Sequence, residues 1–216
     1  MLNIQRFVCN PFQENTYIVS DETREAVIID CGAFFEEERK AIVGYIARQQ
    51  LKPCHLLATH GHIDHNFGNN TVFEEYGLKP EASIADEHLM SRLAEQSQTF
   101  INYELDYNLP PVGRYLDASD TITFGNHRFT ILPTPGHTPG GVFYYCEEEK
   151  LAFSGDTLFR MSIGRTDLEG GSFEDLCDSL RLVADTLPHD TTILSGHGPQ
   201  TRLEDEMKYN PYMKGY

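Results

Sequence analysis

The segment from Thr59 to His65, THGHIDH, concentrates side chains that bind metal ions. It contains three histidines and one aspartate within six residues, directly after the short apolar run CHLLAT. In an extended backbone, residues two apart face the same side, so His60 and His62 can bind one ion together. Asp64 and His65 follow where the chain bends toward the next helix, from where they can reach a second ion. Imidazole and carboxylate ligands suit zinc, iron or manganese.

Three further candidate ligands each follow an apolar strand pattern and a turn of small residues. They are His137 in TPGHTPGG, Asp156 in SGDT and His197 in SGHGP. Taken singly, a histidine or aspartate after a strand is more often a turn residue or a cap. Glycine beside each of them, however, lets the backbone pass close to a crowded centre. Because four strand ends deliver such residues, the combined pattern favours a metal centre. We interpret the remaining histidines as surface or packing residues: His55, His88, His127 and His189.

The elements that must position these side chains begin with a hairpin. Thr16–Ser20 and Glu25–Asp30 are apolar strand patterns on either side of a polar turn. Apolar residues at helical spacing predict a helix over Glu36–Gln49. A second helix is predicted over Phe67–Tyr76, with Gly77 as its C-terminal cap.

The second half of the chain predicts more strands and one clear helix. The strand patterns are TITF, HRFTILP, GVFYYC, KLAFSG and TTILSG. Between the last two lies a helix from Ser172 to Leu187, with Ser172 and Asp175 as its N-terminal capping pair. We predict that its buried face consists of residues at helical spacing: Phe173, Leu176, Leu180, Val183 and Leu187. This order of elements predicts helices that cover a core made of sheets.

Residues 81–118 differ from the rest of the chain. Ser83–Phe100 predicts a polar, weakly amphipathic helix, and Asn102–Asp117 is an irregular stretch that contains Pro110-Pro111. We interpret residues 81–118 as a lid-like insertion over one domain that spans residues 1–216, bordering the substrate entrance.

Composition excludes several classes of protein. A formal net charge of −16 argues against a general nucleic-acid binder, which needs cations for phosphate contacts. No run of about 18 apolar residues predicts a membrane span, and the N-terminus does not resemble a signal peptide, so we expect a cytoplasmic protein. Its five cysteines include no CxxC pair, which predicts small core residues in a reducing compartment. The sequence leaves the oligomeric state open.

In this order, THGHIDH, PGHTPGG, GDTLF and SGHGP resemble the metallo-β-lactamase superfamily. Within it, GDTLFRMSIGRTDLEGG and GHGPQTRLEDEMKYNPY are similar to short bacterial members of the glyoxalase II type, the hydroxyacylglutathione hydrolases. The resemblance implies an α/β fold, an αββα four-layer sandwich with the metals at one edge of its two sheets.

The resemblance also implies a role for each candidate residue. It divides the ligands into two sets with one shared carboxylate: His60, His62 and His137 for the first ion, Asp64, His65 and His197 for the second, and Asp156 between them. Asp30 falls where the family has a buried carboxylate that supports a ligand histidine. Arg165, in SIGRTD, falls where the family places a basic substrate-binding residue, although a structural salt bridge is the alternative.

The sequence departs from the family pattern in two places. Gly61 stands where many glyoxalase II enzymes have a further histidine, which is not a ligand. The sequence ends at Tyr216, whereas full-length glyoxalase II continues into a helical domain that helps to grip glutathione. We therefore expect an incomplete glutathione grip.

These residues predict a metal-dependent hydrolase acting on a small acyl thioester such as S-lactoylglutathione. Two divalent ions, zinc or else iron or manganese, lower the pKa of a shared water, and the resulting hydroxide attacks the thioester carbonyl. Asp64 and Asp156 are the predicted catalytic residues, with Asp64 as a proton acceptor. The thiolate leaves without help from an acid, because its parent thiol has a pKa of about 8.5.

Other functions fit the same ligands. A persulfide dioxygenase would hold one iron with two of His60, His62 and His137 and with Asp156. Lactonase, phosphodiesterase and β-lactamase activities are further hydrolytic alternatives. A metal-binding protein without catalysis is the alternative of a different class.

Overall fold

The first half of the chain builds one sheet. The computed structural model describes residues 1–214, so the last two residues of the predicted domain lie outside the described part. The sheet has six strands in chain order: β1 (Asn3–Cys9), β2 (Glu14–Ser20), β3 (Glu25–Ile29), β4 (Lys52–Leu57), β5 (Pro80–Ser83) and β6 (Arg114–Leu116). The first three strands are antiparallel, which confirms the predicted hairpin, and β3 to β6 are parallel.

The second half builds another sheet of six strands. These are β7 (Thr121–Phe124), β8 (His127–Pro133), β9 (Val142–Cys146), β10 (Leu151–Gly155) and, after a small hairpin of β11 (Leu158–Phe159) and β12 (Ser162–Ile163), β13 (Thr192–Ser195) and β14 (Thr201–Arg202). Their order in the sheet is β14-β13-β10-β9-β8-β7, and β10 runs parallel to β13. All five strands predicted in this half are present.

Six α-helices lie among residues 1–214. They are α1 (Glu36–Gln49), α2 (Asn69–Tyr76), α3 (Glu87–Met90), α4 (Leu93–Ile101), α5 (Phe173–Thr186) and α6 (Leu203–Tyr209). Gly77 ends α2 with a left-handed φ of 72°, as predicted. No helix in this part of the chain is long and apolar enough to cross a membrane.

Successive residues of the central strands pack into different layers, because side chains alternate across a strand. On β3, Val27 and Ile29 face the second sheet, where they meet Phe129 and Phe153. Ile28 between them packs instead with residues of the outer helix α1. On the other side, Leu180 and Val183 of α5 cover the outer face of the second sheet. The layers are therefore helix, sheet, sheet, helix, which confirms the αββα sandwich.

Helix α5 corrects one prediction about the buried face. Leu176, Leu180 and Val183 are buried as expected, and Ser172 Oγ accepts a hydrogen bond from the Asp175 amide at 3.2 Å. Phe173, however, is 54% exposed. It lies at the first position of the helix, where its ring contacts the ring of Tyr212.

Residues 81–118 are joined to the first sheet at both ends through β5 and β6. The single helix predicted over Ser83–Phe100 is wrong. A 3₁₀ turn at Ile84–Asp86 is followed by two short helices, α3 and α4, because Asp86 is buried and bonded to loops elsewhere in the chain. The function of this segment as a lid stays a prediction.

The cysteines are free. Cys9, Cys31 and Cys146 are buried, whereas Cys54 and Cys177 are partly exposed.

Candidate metal centre

Four strand ends bring the candidate ligands to one edge of the sandwich. THGHIDH follows the carboxyl end of β4, and His137 lies beyond the end of β8. Asp156 and His197 follow β10 and β13, which are parallel and therefore end at the same side. The seven residues predicted from the sequence thus meet in one place.

Three histidines form the first group. The nitrogen atoms of His60, His62 and His137 lie within 4.8 Å of one another. His62 Nδ1 is 2.9 Å from His137 Nε2. Burial lowers the pKa of His62 to about 4 and that of His60 well below its usual value. Both rings are therefore neutral at pH 7, which is the form that binds a metal.

Asp64, His65 and His197 form the second group. Their ligand atoms also lie within 4.8 Å of one another, and His197 Nε2 is 3.3 Å from Asp64 Oδ2. Burial lowers the pKa of His65, but the charges of nearby carboxylates, Asp156 above all, outweigh it and raise that pKa. In the metal-free protein His65 therefore holds its proton more firmly than usual, and a metal ion that binds there must displace it.

Asp156 lies between the two groups. Its Oδ1 is 3.3 Å from His65 Nε2, and its Oδ2 is 3.6 Å from His137 Nε2 and 3.5 Å from His197 Nε2. One carboxylate thus faces histidines of both sets, which is the arrangement that a bridging ligand requires.

Four of the ligand histidines are oriented through their Nδ1 atoms. His137 donates to the Arg165 carbonyl at 2.7 Å, and His197 donates to the Phe12 carbonyl at 3.0 Å. His65 and His60 bond to Asp30 and to Thr59, as described below. A proton on Nδ1 leaves the Nε2 lone pair of each ring free for a metal.

Asp30 holds two of these rings. It accepts hydrogen bonds from His65 Nδ1 at 3.0 Å and from the Thr59 amide and hydroxyl, both at 2.7 Å. Since the Thr59 hydroxyl proton is used there, its oxygen accepts from His60 Nδ1 at 3.1 Å. The residue predicted to support one histidine therefore orients one histidine from each group.

Unpartnered atoms test whether metal ions fit the site. Within residues 1–214, His60 Nε2, His65 Nε2 and Asp156 Oδ1 are buried and have no hydrogen-bond partner. Each such atom costs about 1–3 kcal/mol when it is left unsatisfied. Three of them at one point, surrounded by nitrogen and carboxylate donors, fit a centre of divalent ions such as zinc or iron.

Sequence reasoning missed Asp86. Its buried carboxylate accepts from the Gly61 amide at 2.7 Å, from Thr138 Oγ1 at 2.8 Å and from the Gly140 amide at 2.5 Å. These partners flank His60, His62 and His137, so Asp86 joins the two loops of the first group. The partners lie 25 to 54 residues away along the chain, and no local motif indicates them.

Glu14 was also missed. It is fully buried, close to Asp30 and His65, and Thr16 Oγ1 donates to its Oε2 at 2.9 Å. Burial raises the pKa of this carboxyl well above its usual value. An added Cβ at Gly32 would lie 2.1 Å from Glu14 Oε2, which explains the glycine there.

Arg165 lies at the rim of the site with its side chain already paired. Its Nε and Nη2 atoms donate to the two carboxylate oxygens of Asp167 at 2.7 and 2.8 Å. Its backbone carbonyl orients His137. The side chain lines a cavity of about 360 Å³ over the candidate ligands, together with Phe12, Phe100 and Leu168.

A family model described as the metallo-beta-lactamase superfamily matches residues 9–197. The chain belongs to this superfamily. It is therefore an enzyme of the metallo-hydrolase type, and its fold binds divalent metal ions. The candidate centre lies within the matched residues.

Three relatives of this superfamily cover nearly the whole chain. Hydroxyacylglutathione hydrolase GloC from Haemophilus influenzae is 34% identical over 214 residues, which are 98% of this chain and 98% of the relative. The crystal structure of BLEG-1 B3 metallo-beta-lactamase has a TM-score of 0.88 at 32% identity, covering 99% of this chain and 100% of that chain. TTHA1623 in a di-iron-bound form has a TM-score of 0.84 at 32% identity, covering 96% and 99%. That last structure holds two iron ions.

Proposed function

We propose that the chain hydrolyses acyl thioesters at a centre of two divalent metal ions. The observation that carries the proposal is the convergence of seven candidate ligands at one place, where buried atoms of three of them make no hydrogen bond. His60, His62 and His137 would hold one ion, Asp64, His65 and His197 the other, and Asp156 would contact both. The name of the GloC relative supports a thioester as the substrate.

Ions bound there would supply a Lewis acid and a water molecule of lowered pKa. The residues of the chain determine where the reaction happens. Asp64 and Asp156 both line the cavity, so they are the proposed catalytic residues that contact the attacking water. Asp30 and the Arg165 carbonyl hold the ligand rings in one orientation.

The cavity contains no obvious acid for the leaving group other than its ligand side chains, among the described residues. A thioester does not require one, because a thiol of pKa about 8.5 leaves readily as the thiolate. An amide or an alkyl ester, whose leaving group is far more basic, would need such an acid. The lining therefore supports a thioester over those substrates.

The test compares two histidines of the same region of the chain. His60→Gln removes a proposed ligand, whereas His55→Gln is the matched control, because both ring nitrogens of His55 are bonded to protein groups. We expect His60→Gln to lose metal, measured by elemental analysis, and to lose hydrolysis of the lactoyl thioesters of glutathione and of N-acetylcysteine methyl ester. The control should keep both properties.

Two results would contradict the proposal. Equal metal content and turnover in the two variants would show that the histidine cluster neither binds the metal nor takes part in hydrolysis. One iron per chain, together with oxygen uptake in the presence of a persulfide and no thioester hydrolysis, would establish the oxygenase instead.

A further inference from the structure

The cavity over the candidate centre has apolar walls. Phe12, Phe100 and Leu168 line it above the ligand side chains. Phe12 is 41% exposed and Phe100 is 43% exposed, although both are large apolar residues. Exposed aromatic rings beside a reactive centre provide a binding surface for an apolar part of a ligand.

The cation in this lining is already neutralised. Among the residues of 1–214 that line the cavity, Arg165 is the single lysine or arginine. Its guanidinium makes two parallel hydrogen bonds with the Asp167 carboxylate. Such a bidentate pair uses two of the five N–H donors of the guanidinium and cancels its charge, which weakens its attraction for a substrate carboxylate.

The neighbouring cavity repeats this arrangement. It has a volume of about 250 Å³, and Phe100 and Leu168 line both cavities. Its arginine, Arg92, donates to Glu95 at 2.8 Å and to Glu169 at 3.2 Å. Two carboxylates therefore face one guanidinium, so the lining of this neighbouring cavity carries an excess of negative charge.

We infer that the site selects acyl thioesters whose thiol part is uncharged and apolar, and that it discriminates against a carboxylate near the thioester bond. The inference rests on the proposed thioester hydrolysis and names its substrate class. Apolar walls favour a methylene-rich or ester-capped thiol. Among the described lining residues both arginines are paired with carboxylates, so apart from the proposed metal ions an anionic thiol meets no unpaired cation. The formal net charge of −16 adds a general repulsion of anions.

The first experiment uses two substrates that differ by one charge. They are the lactoyl thioesters of N-acetylcysteine and of N-acetylcysteine methyl ester, each corrected for its rate of hydrolysis by hydroxide alone. We expect kcat/KM of the methyl ester to be higher by roughly tenfold at low ionic strength. The reason is that the carboxylate of the other substrate would lie near carboxylates of the lining, whose charge is only partly screened. The ratio should fall as salt is added. An equal or higher kcat/KM for the carboxylate substrate would overturn the inference.

A variant tests the role of the arginine pair. Asp167→Asn releases the guanidinium of Arg165, so we expect the carboxylate-to-ester ratio of kcat/KM to rise several-fold. Asp190→Asn is the matched control, because Asp190 also pairs with a cation, Lys150, and the change alters net charge equally. Asp190 precedes β13 and therefore lies at the end of the sandwich opposite the site. The same rise in both variants would show a general charge effect and would contradict specific selection by the cavity.

A binding measurement separates this inference from the proposed function. The S-ethyl thioethers of N-acetylcysteine and its methyl ester contain no thioester bond, so calorimetry measures their dissociation constants without thioester turnover. If no thioester is hydrolysed by the metal-loaded protein, the proposed function fails, yet tighter binding of the ester still supports an uncharged ligand. Tighter or equal binding of the carboxylate thioether overturns the inference whether or not thioesters are hydrolysed.

Discussion

Each end of the two stacked sheets carries a buried aspartate in contact with histidine, and the two clusters differ in how their polar atoms are partnered. At the end away from the metal centre, Asp21 accepts from the Thr23 amide at 2.9 Å, the Asn126 amide at 2.7 Å and His127 Nδ1 at 3.0 Å. The other ring nitrogen of His127 bonds to Glu149 at 3.2 Å. At the metal end, Asp156 Oδ1 accepts no hydrogen bond within the described residues, and its contact with His65 Nε2 at 3.3 Å is an ion pair without hydrogen-bond geometry.

The difference separates a structural cluster from a functional one. Buried polar atoms in native proteins almost always have partners, so a satisfied cluster such as that of Asp21 is explained by folding alone. An unsatisfied cluster opposes folding and persists where a ligand or a reaction uses it. Residue types do not distinguish the two ends, since both combine aspartate with histidine. The partners do.

The largest expected effect is that of Asp156→Asn. Removing the carboxylate that faces both histidine groups should abolish nearly all thioester turnover and weaken metal binding, measured by steady-state kinetics and elemental analysis. Asparagine keeps the volume of the side chain, so the metal-free variant should remain folded, and its stability should fall only through the lost charge that faces His65 and His197. Full activity in this variant would remove Asp156 from the mechanism.

Asp21→Ala should produce the opposite pattern. It leaves the donors of Thr23, Asn126 and His127 without an acceptor, so we expect the free energy of unfolding at pH 7 to fall by about 2–4 kcal/mol. Urea unfolding of the metal-free protein measures this loss. Metal content and turnover of the folded variant should be unchanged, since the cluster lies at the other end of the sheets. A loss of metal would mean that the two ends are coupled.

The same variant has a defined pH dependence. Burial raises the pKa of Asp21, but hydrogen bonds from Thr23, Asn126 and His127 outweigh it and hold the pKa below its usual range. A lowered folded-state pKa gives stability that is present above the unfolded pKa of about 3.9 and is lost as pH falls below it. The stability difference between wild type and Asp21→Ala should therefore be constant from pH 7 to 5 and shrink in stronger acid. A difference that grows in acid contradicts this assignment.

Asp86→Asn should have an intermediate effect. The amide keeps the volume but replaces one acceptor oxygen by a donor, so one of the bonds from Gly61, Thr138 and Gly140 is lost. We expect metal affinity or turnover to fall by about 10- to 100-fold, as for other residues that orient metal ligands. The absorption spectrum of the cobalt-substituted protein reports ligand geometry and should change. An unchanged spectrum with reduced stability would make Asp86 a purely structural residue.

The sequence predicted the local parts of this molecule and missed the parts that depend on distant contacts. His60, His137, Asp156 and His197 could be found because each follows its own apolar strand, and the order of strand, turn and ligand is contained in a few residues. The hairpin and the helices α1 and α5 were predictable for the same reason. The spacing of the candidate ligands alone, however, does not say how the seven side chains divide between two ions.

Asp86, Glu14 and the pairing of Arg165 show why the rest could not be predicted. Asp86 lies in an ordinary acidic stretch, IADEHLM, and its function depends on loops that only the fold brings close. Glu14 sits in a polar segment, yet it is fully buried. For Arg165 the sequence left a substrate contact and a salt bridge open, and the structure shows the ion pair with Asp167.

His55→Gln is expected to have the smallest effect, and it extends the comparison to single histidines. His55 Nδ1 is 2.5 Å from Glu81 Oε1 and Nε2 is 3.2 Å from the Thr123 carbonyl, so neither nitrogen is free, unlike those of His60 and His65. Burial lowers the pKa of His55, but the hydrogen bond and charge of Glu81 outweigh it and raise the pKa, against a small opposing charge from Arg114.

A raised folded-state pKa gives stability that is fully present below the unfolded pKa of about 6.5 and is lost as pH rises through the folded value. Wild type should therefore exceed His55→Gln by about 1 kcal/mol or less at pH 5.5, a range typical of partly exposed ion pairs, and the difference should vanish in the alkaline range. Urea unfolding at pH 5.5, 7 and 9 measures it. If the variant loses metal as well, a histidine with both nitrogens partnered matters to the centre, and satisfied hydrogen bonds no longer separate structural from functional residues.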